Sequence, residues 1–166
     1  MKKDYNFLKM LKKLLLISKL IFITFFLSTF SYADLIKPNN GIEPLQVVKI
    51  QLTSLKKNDE PSQDNGIEQT WEFAHPNNQK NTGPLPRFKT MLKGASYEML
   101  LNHLDHEVFE VEITDNIASY EVTILDKNKK YYKFKWIVEK NTTEGPLKDC
   151  WLTVMVSAPQ PLGSSV

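Results

Sequence analysis

The chain has 166 residues, 21 Lys plus Arg against 19 Asp plus Glu, and a single cysteine. Six of the lysines and one aspartate fall in residues 1–33, so the remainder carries 15 basic and 18 acidic residues and a formal charge of −3. That balance leaves little to neutralise a phosphate backbone and argues against nucleic acid as a partner, and one cysteine excludes an internal disulfide.

In chain order, Lys2, Lys3, Lys9, Lys12 and Lys13 precede an apolar run over 14–30, and Ser31-Tyr32-Ala33 supplies a small-x-small cleavage site. This pattern reads as a secretory signal peptide over 1–33, so the protein is expected in a periplasm or a thylakoid lumen. The alternative is an uncleaved membrane anchor over 14–32, long enough to approach a bilayer span. Lys19 weighs against it, because a charge near the middle of a span costs about 2.5–3.5 kcal/mol on insertion scales. A polar linker follows over 34–43, then one domain over 44–157 and a Pro/Gly/Ser tail over 158–166 that the composition predicts to be flexible.

Helical periodicity dominates the first half of the domain. Pro44 suits a first helical position, and Leu45, Val48, Leu52 and Leu55 form one stripe, predicting a helix over 44–57. A second helix is expected from Asn65 as N-cap with Glu68 as its capping-box partner, carrying Ile67, Trp71 and Ala74 and leaving helical geometry at His75 before Pro76. A third starts at Thr82-Gly83-Pro84, carries Leu85, Phe88, Met91 and Leu92, and stops at Gly94 as a C′ residue.

From Tyr97 onward the period shortens to two. Residues 99–103 fit either a short strand or a helical turn. Val108 to Ile113 sets Phe109, Val111 and Ile113 against Glu110 and Glu112. Ala118, Tyr120, Val122 and Ile124 alternate with polar residues, and after an Asp126-Lys127-Asn128-Lys129 turn so do Tyr132, Phe134, Trp136 and Val138, which predicts an antiparallel hairpin. Lys127, Lys129, Lys130, Lys133 and Lys135 then form a solvated edge. The run from Cys150 to Val156 is apolar on both faces, as an interior strand should be. Three helices followed by about four antiparallel strands predict an α+β domain, with the helices on one face of a curved sheet.

At this length that order resembles the nuclear-transport-factor-2-like cone shared with ketosteroid isomerase and the polyketide cyclases. Trp71-Glu72-Phe73-Ala74-His75-Pro76, Thr82-Gly83-Pro84-Leu85 with Arg87-Phe88, Tyr97 with Leu100-Leu101 and His103, and Cys150-Trp151 with Thr153 are similar to an uncharacterised domain-of-unknown-function family within that superfamily. The resemblance spans about residues 44–160. It implies the fold and lends no chemistry.

Candidate site residues follow from the crowded block around His75. His75 would cap the last carbonyls of the second helix, or serve as an acid, base or donor at the mouth of the cone. Arg87, the single arginine, offers a planar fork that would clamp Glu72 or the carbonyls of residues 76–80, or hold an anionic group at the start of the third helix. Asn78 fastens the same turn. Trp71, Trp136 and Trp151 are core aromatics that would line an apolar pocket if the cone is open, with Tyr97 and Tyr120 as polar contacts. No carboxylate occupies an inward strand position, which counts against an isomerase or cyclase built on His75 or Tyr97 with Arg87. No phosphate loop, nucleophile elbow or dinucleotide fingerprint is present, so no cofactor is expected. Nor is a metal, because His103 and His106 at a strand start would face opposite sides. Cys150, without a neighbouring cation, reads as a buried apolar residue. The function expected is non-catalytic binding of a small apolar ligand or of a protein partner, with a homodimer through the sheet as one arrangement. A membrane enters only if the N-terminal segment is retained, in which case the alternative function is that of an anchored accessory subunit of a membrane complex.

Overall fold

The computed structural model describes residues 34–164 and Lys13. The signal-peptide and anchor readings of residues 1–33 therefore lie outside the described residues. Among the described residues no helix is long and apolar enough to cross a membrane. Residues 34–164 lie within one compact unit.

The first helix, α1 (Pro44–Lys56), begins with Pro44 in its first turn and a reciprocal capping box between Glu43 and Gln46. It buries Val47, Val48, Gln51, Leu52 and Leu55, the stripe that its apolar spacing requires. The second, α2 (Asn65–Glu72), is capped differently from expectation. Its N-cap is Asp64, in left-handed geometry at φ 65° and without a side-chain cap bond, and Asn65 is already helical. The first amides are satisfied from outside the helix: Gly66 N–H donates to the Asn58 carbonyl at 2.9 Å and Ile67 N–H to Asn58 Oδ1 at 3.1 Å. Asn58, at the end of α1, thus does the work usually done by a local cap.

Over residues 34–164 four α-helices are present where the sequence predicts three, because Pro76 opens a helix rather than only ending one. In α3 (Pro76–Thr82) it takes a first-turn position, and the N-cap His75 accepts the Asn77 N–H on Nδ1 at 3.1 Å. After Gly83, whose φ of 84° turns the chain, comes α4 (Leu85–Lys93), which buries Phe88 and Leu92. Gly94 ends α4 in extended rather than left-handed geometry. Glu98–Leu100 is one 3₁₀ turn, which settles the strand-or-turn alternative for residues 99–103.

Five strands form the antiparallel sheet: β1 (Asp105–Ile113), β2 (Ile117–Leu125), β3 (Lys130–Lys140), β4 (Trp151–Val156) and β5 (Gln160–Ser164). Their order is β1-β2-β3-β4, and β5 joins β3 beside β4, pairing with residues 130–133 while β4 pairs with residues 136–140. A strand therefore occupies residues 160–164, where composition predicts a loose tail. Backbone groups of β3 left open by the short β4 give it a partner, and that is invisible to side-chain pattern.

Helices and sheet enclose one core. Val47, Val48, Leu52 and Leu55 of α1 meet Tyr120, Val122, Ile124, Phe134, Trp136 and Val138 of β2 and β3 in a single cluster. Burying each such side chain is worth about 1.5–3 kcal/mol, so this layer contact dominates the fold. The outer edge of β4 is strapped by residues 73–75: Thr153 N–H donates to the Phe73 carbonyl at 2.7 Å, and His75 N–H to the Thr153 carbonyl at 2.9 Å. The chain covers that edge itself. On β1 the alternation of apolar and acidic residues does not translate into burial, and Phe109, Val111 and Ile113 all remain exposed.

Candidate functional site: a small interior cavity

Gln51 interrupts the buried face of α1, and the polar interior is organised around it. Its Oε1 accepts from Thr153 Oγ1 at 2.6 Å and from Trp136 Nε1 at 3.1 Å, and its Nε2 donates to the Thr70 carbonyl at 3.0 Å. Because the indole N–H can only donate, the amide orientation is fixed by chemistry. Trp136 Nε1 also lies 3.3 Å from Thr153 Oγ1, and Thr70 Oγ1 donates back to the Gly66 carbonyl at 2.8 Å. Helix α1, the last turn of α2, β3 and β4 are joined through this one amide.

Beside the network lies a cavity of about 90 Å³, lined by Gln51, Thr70, Asn78, Tyr97, Trp136 and Thr153 with apolar neighbours such as Leu55, Phe88 and Met91. Asn78 Nδ2 donates to the Thr153 carbonyl at 3.2 Å, and the Tyr97 hydroxyl stands 3.5 Å from the Val156 carbonyl. Among the described residues no carboxylate, imidazole, thiol, ammonium or guanidinium lines this space. The cavity can hold water or a few heavy atoms, and the Tyr97 phenol is the group of general acid or base type among its described lining residues. Pockets for metabolite-sized ligands run to about 300–1,000 Å³, well above what the interior leaves open.

Of the residues expected at a site, Asn78, Tyr97 and Trp136 are brought together here. The others are not. Trp71 packs on Phe88 with ring centroids 4.9 Å apart, and Trp151 lies under Lys140, whose Nζ is 4.9 Å from the ring centroid. His75 caps the start of α3 rather than the end of α2, and faces a surface depression with Asn141 and Leu147. Arg87 neither clamps Glu72 nor holds the loop. It is exposed, its chain packs over Gly83, and Glu72 pairs instead with Lys37 at 2.9 Å. Tyr120 is fully buried with no hydrogen-bond partner for its hydroxyl among the described residues, and burial, reinforced by Glu110 and Glu43, pushes its phenol up to about 12. It is a core ring, not a titrating contact. Gln51, Thr70, Thr82 and Thr153 are polar lining residues that sequence reasoning does not place at a site. Gln51 had a signal, a polar side chain at helical spacing between Val48 and Leu55.

Cys150 is buried, and burial raises its thiol above the ordinary range, as an unreactive cysteine requires. Asn141 of the Asn-Thr-Thr sequon is buried and binds the Leu147 carbonyl at 3.0 Å, so it is not presented for glycosylation. Among the described residues no group of three His, Cys, Asp or Glu is placed to hold a metal. His103 and His106 nevertheless meet, contrary to the expectation of opposite faces, because His103 lies in the turn before β1. Their Nε2 and Nδ1 are 2.8 Å apart, while His103 Nδ1 lies 2.7 Å from the Leu100 carbonyl and therefore carries its proton there.

Burial pushes His103 from its ordinary 6.5 down to about 4, with His106 and Lys56 adding repulsion against the opposing Leu100 carbonyl and Asp105. A lowered folded value means that the unfolded chain takes up the proton first, so stability is fully present above pH 6.5 and drains as pH falls toward 4. The expected loss from this residue between pH 7.5 and pH 5 is about 2 kcal/mol. Urea unfolding at the two pH values checks it, and His103→Gln should remove most of the difference. An equal pH dependence in the variant would place the titration elsewhere.

No family model, curated protein or solved structure matches the chain.

Proposed function

We propose that this is an exported, non-catalytic binding domain on a nuclear-transport-factor-2-like scaffold, and that what it binds is another protein. The observation that carries the reading is the contrast between interior and surface. Side chains fill the space between helices and sheet down to about 90 Å³, and the polar atoms there bond to one another. Outside, Phe109, Val111, Ile113 and Ile117 stand 57%, 65%, 52% and 48% exposed on the β1–β2 hairpin. A ligand-carrying cone has the opposite distribution, an open apolar interior and a polar rim. Clustered exposed apolar side chains on a soluble surface mark a contact with a partner. Helices first and a curled antiparallel sheet after them support the scaffold, and the basic and apolar residues ahead of Ala33 support export.

Native mass spectrometry of the protein purified from its producing cells tests the reading. The polypeptide mass alone is expected. A retained small molecule that is lost on denaturation, and whose retention falls in Gln51→Leu, would overturn it in favour of the small-ligand reading.

A further inference from the structure

The β1 strand presents a free edge whose chemistry specifies a partner. Among the described residues it pairs with β2 and with no other strand, so its second row of backbone amides and carbonyls is left unpaired there over nine residues, about 30 Å of chain. The opposite side of the sheet is treated differently: β4 is strapped by residues 73–75, and β5 fills the remainder of the β3 edge. Proteins blunt exposed edges with lysine, proline or very short strands. Residues 105–113 contain no lysine or proline.

A register shift between Glu110 and Glu112 sets the two faces of this edge. Before it, Val108 and Glu110 lie opposite Val122 and Tyr120, on the helix-facing side, and Phe109 lies opposite Glu121 on the outer side. After it, Ile113 takes the helix-facing side opposite Ala118. Apolar side chains are therefore offered on both faces of the same edge, where an added strand would lay its own side chains.

Charge decides what that strand is. From Leu104 to Ile117 the chain has Asp105, Glu107, Glu110, Glu112 and Asp115 and no lysine or arginine. Asp105 pairs with Lys56 at 3.4 Å, and the other four make no salt bridge among the described residues. A second copy paired antiparallel on β1 would bring its own Asp105, Glu107, Glu110 and Glu112 alongside these with no lysine or arginine from either β1 between them, and crowding like charges across a pair of strands destabilises it. A cationic strand gains at the same positions, and the −3 charge of residues 34–166 attracts it over distance.

We propose that the free edge of β1 takes up an extended segment of a partner protein, alternating basic and apolar residues, as an additional strand of the sheet. The inference rests on the protein-partner reading above and names the partner's chemistry. Main-chain hydrogen bonds to residues 105–113 supply affinity, apolar contacts with Phe109, Val111 and Ile113 set register, and Glu107, Glu110 and Glu112 select positive charge.

Binding of fluorescein-labelled nine-residue peptides to the full-length protein, read by anisotropy, tests it. The alternating Lys/Val peptide should bind, the alternating Glu/Val peptide should not, and N-methylation of every second residue of the Lys/Val peptide should abolish binding. Glu107→Lys with Glu112→Lys should weaken binding by about tenfold or more at unchanged melting temperature, since both side chains are exposed and unpaired in ion pairs. Equal binding of the N-methylated peptide would reduce the contact to bulk charge and overturn strand addition. Absence of Lys/Val binding overturns it too. So does a dimer in sedimentation that dissociates in Phe109→Lys, which puts a second copy on the edge and leaves the protein-partner reading standing. That reading itself fails only if native mass spectrometry finds a retained small molecule.

Discussion

Gly66→Ala is expected to destabilise the domain by about 3 kcal/mol or more, a large share of the stability of a domain this size. At Gly66, α2 crosses the end of α1 so closely that a Cβ would overlap the Ser54 carbonyl oxygen and lie 2.7 Å from Ser54 C and 2.8 Å from Asn58 Cα. Those are backbone atoms, so no side-chain rotation relieves the overlap. The helices must separate, and with them go the Gly66 N–H bond to the Asn58 carbonyl at 2.9 Å and the Ile67 N–H bond to Asn58 Oδ1 at 3.1 Å. Alanine is the better helix former in isolation, so propensity alone argues for stabilisation. The contact geometry reverses the sign. Urea unfolding followed by tryptophan fluorescence reads the change directly, and an unchanged or higher midpoint would show that α1 and α2 do not approach this closely.

The second large effect is expected at Gln51. Replacement by leucine keeps the volume and gains apolar surface, yet it should cost about 3 kcal/mol, because the Thr70 carbonyl and the Thr153 hydroxyl lose their partner and Trp136 Nε1 keeps only a 3.3 Å contact. The diagnostic measurement is a double-mutant cycle with Thr153→Val. The Thr153–Gln51 hydrogen bond is lost in each single variant but only once in the double, so the double variant should be more stable than the sum of the single losses by about 1 kcal/mol. Strict additivity would mean that Gln51 and Thr153 are satisfied independently, and the account of one shared network would fall.

These two residues also show where pattern reading stops. Gly66 sits in the first turn of a helix whose capping signals, Asn65 and Glu68, look local and sufficient. The reason for a glycine is carried by Ser54 and Asn58, on another helix, and a single sequence does not encode that approach as a motif. Gln51 is half legible: its position on the apolar stripe of α1 marks it as buried, and a buried amide needs partners, but three partners on α2, β3 and β4 are a tertiary fact. Arg87 shows the converse error. Its rarity in the composition suggested a demanding role, while the structure leaves it exposed over Gly83. Rarity is a property of composition and exerts no force.

Local physics, by contrast, was readable. Pro44 and the stripe to Leu55 placed α1 to within a residue of its end, Pro84 placed the start of α4, and strict alternation placed β2 and β3 with Tyr120, Val122, Phe134 and Trp136 inward. In each case one face of the element is buried against the core, and burial imposes the element's own period on the sequence. The same logic failed at β1, where Phe109, Val111 and Ile113 alternate with glutamates yet stay exposed, because no helix among the described residues buries them.

By itself, then, the sequence determined the class of fold, the order of helices before strands, and the identity of the core face of each covered element, since periodicity is a direct record of which side meets apolar neighbours. Tertiary structure alone decided the rest. It turned His75 from a helix end into a helix start, drew residues 160–164 onto the open part of β3, closed the interior to about 90 Å³ around Gln51, and left the edge of β1 without a partner strand among the described residues. Each of these depends on atoms distant in the chain arriving within contact distance, where backbone hydrogen bonding and packing act without leaving a period behind.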